Sequence, residues 1–356
     1  KKVLMALSGG VDSSVAALLL ARQGYELVGI TMRLADAPPE EARGPRSCCS
    51  VEDVSDARAV AERLGIPFYA GHYKDEFESH VIGYFVESYR KGLTPNPCAR
   101  CNEHLKFGGL LRRAEELGCD FLATGHYARI GREGNEPRLL RARDPEKDQS
   151  YFLFGLREED LSRILFPLGD LAKSQVREIA REAGLPVAEK PDSQEICFVP
   201  DSGYVRFVEK RGGAGTPGKM VKEDGRAVGE HQGLHAYTVG QRRGLGLSGN
   251  EDPLYVLRLD PAKNEIVVGP EERLLTRKMR VGSARLSSRL PGSFRAEVRI
   301  RHRHAAAPAR VERLEGNAAL VAFDEPQRAA TPGQAAVFYD GDMVLGGGWI
   351  EEAFSA

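Results

Sequence analysis

The stretch that decides the fold of this chain is Lys1-Lys2-Val3-Leu4-Met5-Ala6-Leu7-Ser8-Gly9-Gly10-Val11-Asp12-Ser13-Ser14. Its apolar start predicts a buried strand over 3–7, and a helical pattern follows over 13–23. The two glycines let the backbone approach a ligand closely, and the first N–H groups of the helix point at an anion. No Gly-Lys-Ser/Thr of a Walker loop follows. The segment therefore favours a pyrophosphate released whole over γ-phosphate transfer, and the alternative is a plain turn with a serine or aspartate cap.

Composition sets the class of protein. The chain has 356 residues, of which 42% are hydrophobic and 28% charged, and its net charge is −1. These values are typical of a soluble globular protein with two or three domains. Because the net charge is close to zero, any surface that binds nucleic acid must be a local patch of positive charge. No apolar run approaches the roughly 18 residues that span a membrane. With only six cysteines in this length, a secreted disulfide scaffold is disfavoured, and we expect a cytoplasmic protein.

Strand-like and helix-like segments alternate through the first half of the chain. The pattern predicts strands at 27–32, 67–70 and 121–124 and helices at 52–64, 77–90, 103–117 and 173–183. Such alternation favours a parallel sheet covered by helices. A glycine-rich stretch at 211–218 is a candidate boundary, and the short strand-like runs beyond it lie at 254–259, 265–268, 296–301, 319–323 and 335–339. These runs predict one or two small β domains.

Three cysteines carry the second distinctive signal. In Thr94-Pro95-Asn96-Pro97-Cys98-Ala99-Arg100-Cys101-Asn102, the prolines fix an extended approach. We expect Asn102 to cap the next helix, which would put a helix N-terminus beside Cys101 and favour its thiolate. A thiolate suits nucleophilic attack, sulfur transfer or metal binding. Cys197 follows in Ser193-Gln194-Glu195-Ile196-Cys197-Phe198, and spacing alone does not bring it to the pair.

The remaining cysteines carry weaker signals. Adjacent Cys48 and Cys49 are either a sulfur-handling pair or loop and packing residues, and we favour the second interpretation. Cys119 follows a predicted helix end and is interpreted as structural.

Several motifs together resemble one family. The loop resembles that of the PP-loop superfamily of ATP pyrophosphatases. The further matching motifs are Thr94–Asn102, Ala-Thr-Gly-His-Tyr-Ala at 123–128, Lys-Asp-Gln-Ser-Tyr-Phe-Leu at 147–153, Ile-Cys-Phe at 196–198, the segments 233–246 and 331–339, and Leu-Gly-Gly-Gly-Trp-Ile at 345–350. The joint pattern spans almost the whole chain and resembles the tRNA-specific 2-thiouridylases. The resemblance implies an α/β fold: a parallel sheet of the PP-loop, or adenine-nucleotide α-hydrolase, type over 1–200, a small central β domain over 201–275, and a tRNA-contacting C-terminal β-barrel over 276–356.

The resemblance also implies roles for matching residues. ATP would bind at Ala6, Leu7, Ser8, Gly9, Gly10, Val11, Asp12, Ser13, Met32 and Gly125. Asp12 would help hold Mg²⁺ near the phosphates. The target uridine would meet Asn96, Pro97 and Cys98, and the rest of the tRNA would meet His126, Lys147, Asp148, Gln149, Arg301, His302 and Gln334.

The implied reaction has two parts. The C2 oxygen of the wobble uridine of a tRNA is adenylated with release of pyrophosphate, and sulfur then replaces AMP. Cys101 would be the nucleophile and Cys197 would carry a persulfide supplied by an upstream sulfur donor, which leaves a Cys101–Cys197 disulfide to be reduced.

Position 98 departs from the family pattern, in which aspartate is common. Cys98, Cys101 and Cys197 could instead hold an iron–sulfur cluster of the [4Fe-4S] type, with one iron free to carry a sulfide. The alternatives are a spare thiol at Cys98 in a persulfide enzyme, or zinc on Cys98, Cys101 and His104, which lacks a fourth ligand.

Positive charge is concentrated near the C-terminus. Residues 273–313 contain 12 Lys and Arg, 2 Glu and no Asp, a net charge of +10. If 295–303 form a strand, Arg295, Arg299, Arg301 and Arg303 share one face, which suits a phosphate backbone as well as it suits plain solvation.

Two other functions remain open from the residues alone. Another PP-loop pyrophosphatase acting on a small molecule would need neither the three cysteines nor the basic segment. A non-enzymatic RNA-binding protein with a relic nucleotide loop would not need Cys101 and Cys197.

Overall fold

The computed structural model describes residues 1–35, 51–191, 196–200, 202–247 and 252–355. By compactness the chain divides into two units, Lys1–Val81 with Cys98–Asp201 and Asp342–Val344, and Ile82–Pro97 with Ser202–Gly341 and Leu345–Ala356. Each unit is described by itself. The division into three domains at 201 and 276 stays a prediction, and the Cys48–Cys49 pair lies outside the described residues.

The first unit is built on a parallel sheet. The strands of this sheet are β1 (Lys2–Ala6), β2 (Glu26–Arg33), β3 (Phe68–His72), β4 (Phe121–Ala123) and β7 (Ile164–Leu165), and the unit also contains β5 (Arg129–Glu133) and β6 (Glu136–Leu140). Among the described residues, five strands form the order β3-β2-β1-β4-β7, and every neighbouring pair is parallel. The predicted α/β fold is confirmed.

Helices cover both faces of this sheet because the strands are apolar on both sides. Val3 and Met5 pack in a cluster with Val15 of the helix that follows β1, whereas Leu4 packs in a second cluster with Leu110. This is the alternation that a strand imposes on consecutive side chains. Near-continuous burial of β1 is what a central strand of a parallel sheet requires.

The helices match the predicted pattern with one important difference. They are α1 (Val11–Arg22), α2 (Val51–Leu64), α3 (Lys74–Phe77), α4 (Tyr84–Arg90), α5 (Pro97–Cys101), α6 (Leu110–Glu116), α7 (Lys173–Glu182) and α8 (Tyr204–Gly212), with π-helical segments at Glu78–Gly83 and Asn102–Gly109. Short 3₁₀ turns lie at Ser150–Phe152, Glu158–Arg163, Leu234–Ala236 and Glu271–Leu274.

The expected cap at Asn102 is wrong. Helical backbone begins at Pro97 and runs through Cys101, which has φ −60° and ψ −44°, into the π-helical segment. Proline is favoured in the first turn because its missing N–H would have no partner there. The helix start therefore lies beside Cys98, one turn before Cys101.

An antiparallel hairpin was not predicted. β5 and β6 pair from Arg129↔Leu140 to Glu133↔Glu136, across a turn at Gly134 and Asn135. Gly134 has a φ of +61°. A Gly-Asn pair between two strand-like runs is a hairpin signal that was available in the sequence.

The second unit contains two β structures. The first is a four-stranded sheet in the order β10-β11-β8-β9, formed by β8 (Gly218–Val221), β9 (Ala227–His231), β10 (Tyr255–Asp260) and β11 (Glu265–Gly269). The second is a barrel of β12 (Leu275–Leu286), β13 (Ser293–Arg299), β14 (Ala307–Leu314), β15 (Ala318–Arg328), β16 (Ala335–Asp340) and β17 (Met343–Ser355). Pairing of β12 with both β15 and β17 closes the ring. The predicted central β structure and C-terminal barrel are confirmed.

The predicted basic strand is shorter than expected. β13 ends at Arg299, so Arg301 and Arg303 lie in the turn that follows and do not share a strand face with Arg295. Buried Ala296 and Val298 alternate with exposed Arg295 and Glu297, as a barrel wall requires. Of the helices in the described ranges, none has the length and apolar character needed to cross a membrane.

Candidate functional site

The centre of the parallel sheet contains a switch point in the strand order. β1 and β4 are neighbours, and the chain leaves them in opposite directions across the sheet, toward β2 and β3 on one side and β7 on the other. In open α/β sheets, ligands bind at this switch point, outside the carboxyl ends of the strands. Leu7–Gly10 follow β1 here, and 124–127 follow β4. The predicted ATP loop, with Gly125 and His126, therefore lies at one edge of the sheet, and Met32 lies near the same end of β2.

Serine hydroxyls hold the loop in shape. Ser13 Oγ accepts from the backbone N of Ser8 at 3.1 Å and lies 3.1 Å from Ser8 Oγ. Ser14 Oγ donates to the Gly10 carbonyl at 2.8 Å. Gly9 has a φ of +71°, and a Cβ there would lie 2.2 Å from the Asp53 carbonyl oxygen. Only glycine fits this position, so the loop packs directly on the first turn of α2.

Asp12 is held by two residues from elsewhere in the first unit. Its Oδ1 accepts from Tyr127 Oη at 2.8 Å and from Lys173 Nζ at 2.7 Å. Lys173 begins α7, and its contact with Asp12 was missed because 161 residues separate the two in sequence. The loop lacks the lysine of a Walker motif, but in the folded chain the ammonium group of Lys173 lies beside the loop, at Asp12.

Gly125 lies in close contact with the helix that follows the loop. A Cβ at Gly125 would be 2.6 Å from Ser13 N and 2.8 Å from the Asp12 carbonyl carbon. Both are backbone atoms, so they have little room to yield. The end of β4 thus fits against α1 only with glycine at this position.

His126 has an internal environment. Its Nδ1 lies 2.7 Å from Thr124 Oγ1 and its Nε2 lies 3.3 Å from Lys106 Nζ. Burial, with a smaller contribution from Lys106, lowers the pKa of His126 well below its usual value. Because an ammonium only donates, we assign a neutral ring that accepts at Nε2 and donates from Nδ1 to Thr124. The ring is buried beside Phe107 and Phe166, and its contact with tRNA stays a prediction.

The segment 147–149 lies beside the end of β4. Gln149 Oε1 accepts from Tyr127 N at 2.9 Å, and Gln149 N donates to Tyr127 O at 2.9 Å. Asp148 is buried and accepts from Ala142 N and from the backbone N and Oγ of Ser150. The Asp148 carboxylate therefore shapes the segment from inside, while Lys147 is half-buried.

The helix α5 (Pro97–Cys101), here called the cysteine helix, carries two thiols in different environments. Cys98 is exposed in the first turn, and Cys101 is half-buried one turn later. Asn102 is buried and donates from Nδ2 to the Phe152 carbonyl at 3.1 Å. This bond ties the helix to the segment that follows 147–149, which gives Asn102 an anchoring role in place of the expected cap.

Cys197 lies in a tight turn closed by Val199 N and Ile196 O at 3.0 Å. The neighbouring Phe198 ring packs edge-on against Phe77, with centroids 5.6 Å apart. Residues 192–195, which precede the turn, lie outside the described part of the chain.

No group of three or more His, Cys, Asp and Glu residues within the described ranges has metal-binding geometry. The iron–sulfur cluster on Cys98, Cys101 and Cys197 therefore gains no support from these residues and stays a prediction, as does zinc on Cys98, Cys101 and His104. His104 stacks on His80 with ring centroids 4.8 Å apart, and its Nε2 lies 3.3 Å from Arg100 Nη1.

In the second unit, Gln334 holds the chain that leads to the cysteine helix. Its Nε2 donates to the carbonyls of Thr94 at 3.2 Å and Pro95 at 3.1 Å. Thr94 N in turn donates to the Pro332 carbonyl at 2.9 Å. Gln334 thus fixes the chain at Thr94 and Pro95, and its predicted contact with tRNA stays a prediction. Asn96 and Pro97, which follow these hydrogen-bonded residues in the chain, are buried.

The basic turn after β13 carries the other two predicted contacts of this unit. Arg301 and His302 are both half-buried, and Arg303 is exposed. Arg299 Nε donates to the His304 carbonyl at 3.1 Å and so closes the turn.

Comparison with known proteins gives matches along the chain. Three family models match in succession: a tRNA methyl transferase HUP domain over residues 1–201, a tRNA methyl transferase PRC-barrel domain over 205–270 and an aminomethyltransferase β-barrel domain over 276–350. Curated relatives match over almost their full length.

Three of these relatives are each called tRNA-specific 2-thiouridylase MnmA. The protein of Geobacter metallireducens is 50% identical over 100% of this chain and 98% of its own length. That of Geotalea uraniireducens is 49% identical over 99% and 96%, and that of Carboxydothermus hydrogenoformans is 48% identical over 99% and 98%. With identity of this level over both whole lengths, and with the loop, switch point and cysteine motifs in place, the chain belongs to the tRNA-specific 2-thiouridylase family.

Proposed function

We propose that this protein is an ATP-dependent tRNA sulfurtransferase that converts the wobble uridine of a tRNA to 2-thiouridine, with AMP and pyrophosphate as the other products. The observation that carries the proposal is the braced pyrophosphate-type loop at the switch point of the sheet, on a chain whose relatives of about 50% identity are named 2-thiouridylases. The coarse statement, use of ATP, follows from the family and from this loop.

The first step activates the base. The uridine C2 oxygen attacks the α-phosphorus of ATP, the bond to the β-phosphate breaks, and pyrophosphate leaves. The loop from Ala6 to Ser13 would hold the leaving pyrophosphate through its backbone N–H groups and hydroxyls. Asp12 has the hard oxygen donor that Mg²⁺ prefers and lies in the first turn of α1. Asp12 would hold that ion beside the phosphates, where its charge would balance the leaving group.

The second step delivers sulfur. The terminal sulfur of a persulfide on Cys197 attacks C2, and AMP leaves with the original oxygen. The Cys101 thiolate then attacks Cys197 Sγ, the sulfur–sulfur bond breaks, and the sulfur stays on the base. A Cys101–Cys197 disulfide results, and an external thiol must reduce it before the next turnover. An upstream sulfur donor, another protein or relay, recharges Cys197.

The iron–sulfur alternative remains part of the proposal as a competing route. Three cysteines would be its ligands, but Cys98, Cys101 and Cys197 do not form such a group within the described ranges. No step is therefore assigned to a cluster. Iron and labile sulfide assays on protein purified without oxygen separate the routes: stoichiometric iron favours the cluster, and full activity with a persulfide donor and no iron excludes it.

Binding of tRNA is proposed for two regions. Asn96 precedes the cysteine helix, and Pro97 and Cys98 begin it. These three residues would meet the target base, which must leave its stack at a cost of a few kcal/mol. The basic turn with Arg301 and His302 would meet the phosphate backbone, together with Lys147. The role of the basic turn and of Lys147 is supported by their positive charge and partial exposure alone.

Product analysis tests the proposal. Unmodified tRNA is incubated with ATP and a persulfide donor, and its nucleosides are examined by mass spectrometry. We expect exchange of one oxygen for sulfur in uridine, and pyrophosphate release that depends on tRNA. Cys101→Ser and Cys197→Ser should still release pyrophosphate but make no 2-thiouridine, while Cys119→Ser, a buried thiol outside the proposed site, should keep the product. Pyrophosphate release that ignores tRNA would favour a small-molecule substrate, and an added methyl group would favour the activity named in the family-model descriptions.

A further inference from the structure

Lys190 connects three parts of the first unit through one ammonium group. Its Nζ donates to the Gly9 carbonyl at 3.1 Å, to Asp53 Oδ1 at 2.7 Å and to Asp56 Oδ2 at 2.6 Å. A lysine ammonium has three donors, and this set can use all three. Lys190 lies 181 residues from Gly9 in sequence, so neither the loop motif nor any resemblance singled it out.

The two carboxylates create an electrostatic problem for an anion site. Asp53 and Asp56 lie three residues apart on α2 and so share a face. That face adjoins the phosphate loop, since a Cβ on Gly9 would lie 2.2 Å from the Asp53 carbonyl oxygen. Asp53 is buried, so solvent screens its charge poorly. A polyphosphate bound at the loop would be repelled by both carboxylates if nothing balanced them.

Lys190 supplies that balance and also restrains the loop. Burial opposes the charge on Lys190, but hydrogen bonds and charges from Asp53 and Asp56 outweigh it, and the pKa of the ammonium is raised. The lysine is thus charged at neutral pH. Its bond to the Gly9 carbonyl fixes the orientation of the peptide that begins the anion-binding turn.

We propose that Lys190 is a positioning residue of the nucleotide site, which holds the Gly9 carbonyl away from the phosphates and neutralises Asp53 and Asp56 so that ATP can bind. Lys190 acts through these three groups and does not itself contact the nucleotide. The inference rests on the proposed function, because it assumes that the loop binds ATP.

Removal of the charges by mutation distinguishes this role from direct phosphate binding. Lys190→Met removes the ammonium from both carboxylates, and the loss of its charge-assisted bonds should weaken ATP binding about tenfold to a hundredfold. In the triple variant Lys190→Met, Asp53→Asn, Asp56→Asn, the repulsion is gone, and affinity should recover to within a few-fold of wild type. If Lys190 bound phosphate directly, the triple variant would stay as weak as Lys190→Met.

The experiment measures binding of an ATP analogue with an uncleavable α–β bridge to the full chain, by calorimetry, alongside thermal unfolding and the KM and kcat of tRNA-dependent pyrophosphate release. Lys190→Arg keeps the charge and should retain most of the affinity. Lys91→Met is the matched control, because Lys91 also pairs with a carboxylate, that of Glu87, and both side chains are exposed. We expect the change for Lys190→Met in the Kd and the KM for ATP, with a smaller change in kcat.

Wild-type affinity in Lys190→Met, or no recovery in the triple variant, would overturn the inference. Failure of the proposed function looks different. If wild type binds the analogue but makes no 2-thiouridine, the proposed reaction fails and the role of Lys190 stands. If wild type binds no nucleotide, both fail.

Discussion

Replacement of Gly125 by alanine tests the geometry of the switch point. The new Cβ would lie 2.6 Å from Ser13 N, whereas ordinary contact begins at 3.4 Å, so β4 and α1 must separate by about 0.8 Å. Neither side yields easily, because Ala123 and Val15 are fully buried around the contact. Forced overpacking of this kind costs roughly 1–3 kcal/mol. A misplacement near 1 Å at a reacting centre can cost about a hundredfold in rate.

The assay combines tRNA-dependent pyrophosphate release with thermal unfolding. We expect Gly125→Ala to lower kcat/KM about a hundredfold and to lower the midpoint of unfolding by a few degrees. Gly292→Ala is the control, since a Cβ there meets nothing within 4 Å, and it should match wild type in both measurements. Wild-type kcat/KM in Gly125→Ala would refute the placement of the nucleotide site between β1 and β4.

Three further predictions follow from contacts of the described residues. Lys173→Met removes the ammonium that lies 2.7 Å from Asp12 Oδ1, so ATP binding should weaken about tenfold. Lys173→Arg should keep most of the affinity for ATP. If calorimetry gives the same affinity for Lys173→Met and wild type, the pair has no role in ATP binding. The pKa of His126 in the folded protein lies well below its ordinary value near 6.5. Below about pH 6.5, the unfolded chain therefore binds a proton at this residue that the folded chain does not. The contribution of the neutral ring to the free energy of unfolding is full above about pH 6.5 and decreases as the pH drops toward the folded pKa. When the pH is lowered from 7 to 5, the midpoint temperature of unfolding should therefore decrease less steeply for His126→Asn than for wild type. Identical slopes against pH would contradict a buried, neutral His126 ring. Arg301→Ala should weaken tRNA binding and reduce the salt slope by about 1, whereas Arg295→Ala, whose side chain pairs with Asp324, should leave the slope unchanged; an unchanged slope in Arg301→Ala would remove the basic turn from the tRNA footprint.

Local signals in the sequence were enough for the sheet and the loop. The apolar run before Gly9 and Gly10 favours a buried strand followed by a tight turn, and the bounds of β1 and α1 agree with the predicted ones within two residues. The closure of the barrel could not be read from the sequence, because β12 pairs with β17 across most of the C-terminal segment. The helix start beside Cys98 was missed because Asn102 was interpreted as a cap, although Pro97 is an equally good start signal.

The partners of the site residues were harder to predict than the residues themselves. Asp12 and Gly125 were identified from motifs, but Lys173, Lys190 and Lys106 approach the site from distant positions that no motif marks. Burial also could not be read from a pattern. Asp148 and His126 are polar residues in loop-like sequence, yet both side chains are enclosed by hydrogen bonds. Such contacts depend on tertiary packing, which local propensity does not contain.

The central claim is that ATP activates the C2 oxygen of uridine, and the fate of that oxygen tests it most directly. A tRNA whose wobble uridine carries a heavy oxygen isotope at C2 is converted with ATP and a persulfide donor, and the released AMP is examined by mass spectrometry. The account predicts that each 2-thiouridine formed yields one AMP that carries the heavy isotope on its phosphate. Heavy oxygen found in water or retained on the base, with unlabelled AMP, would contradict it.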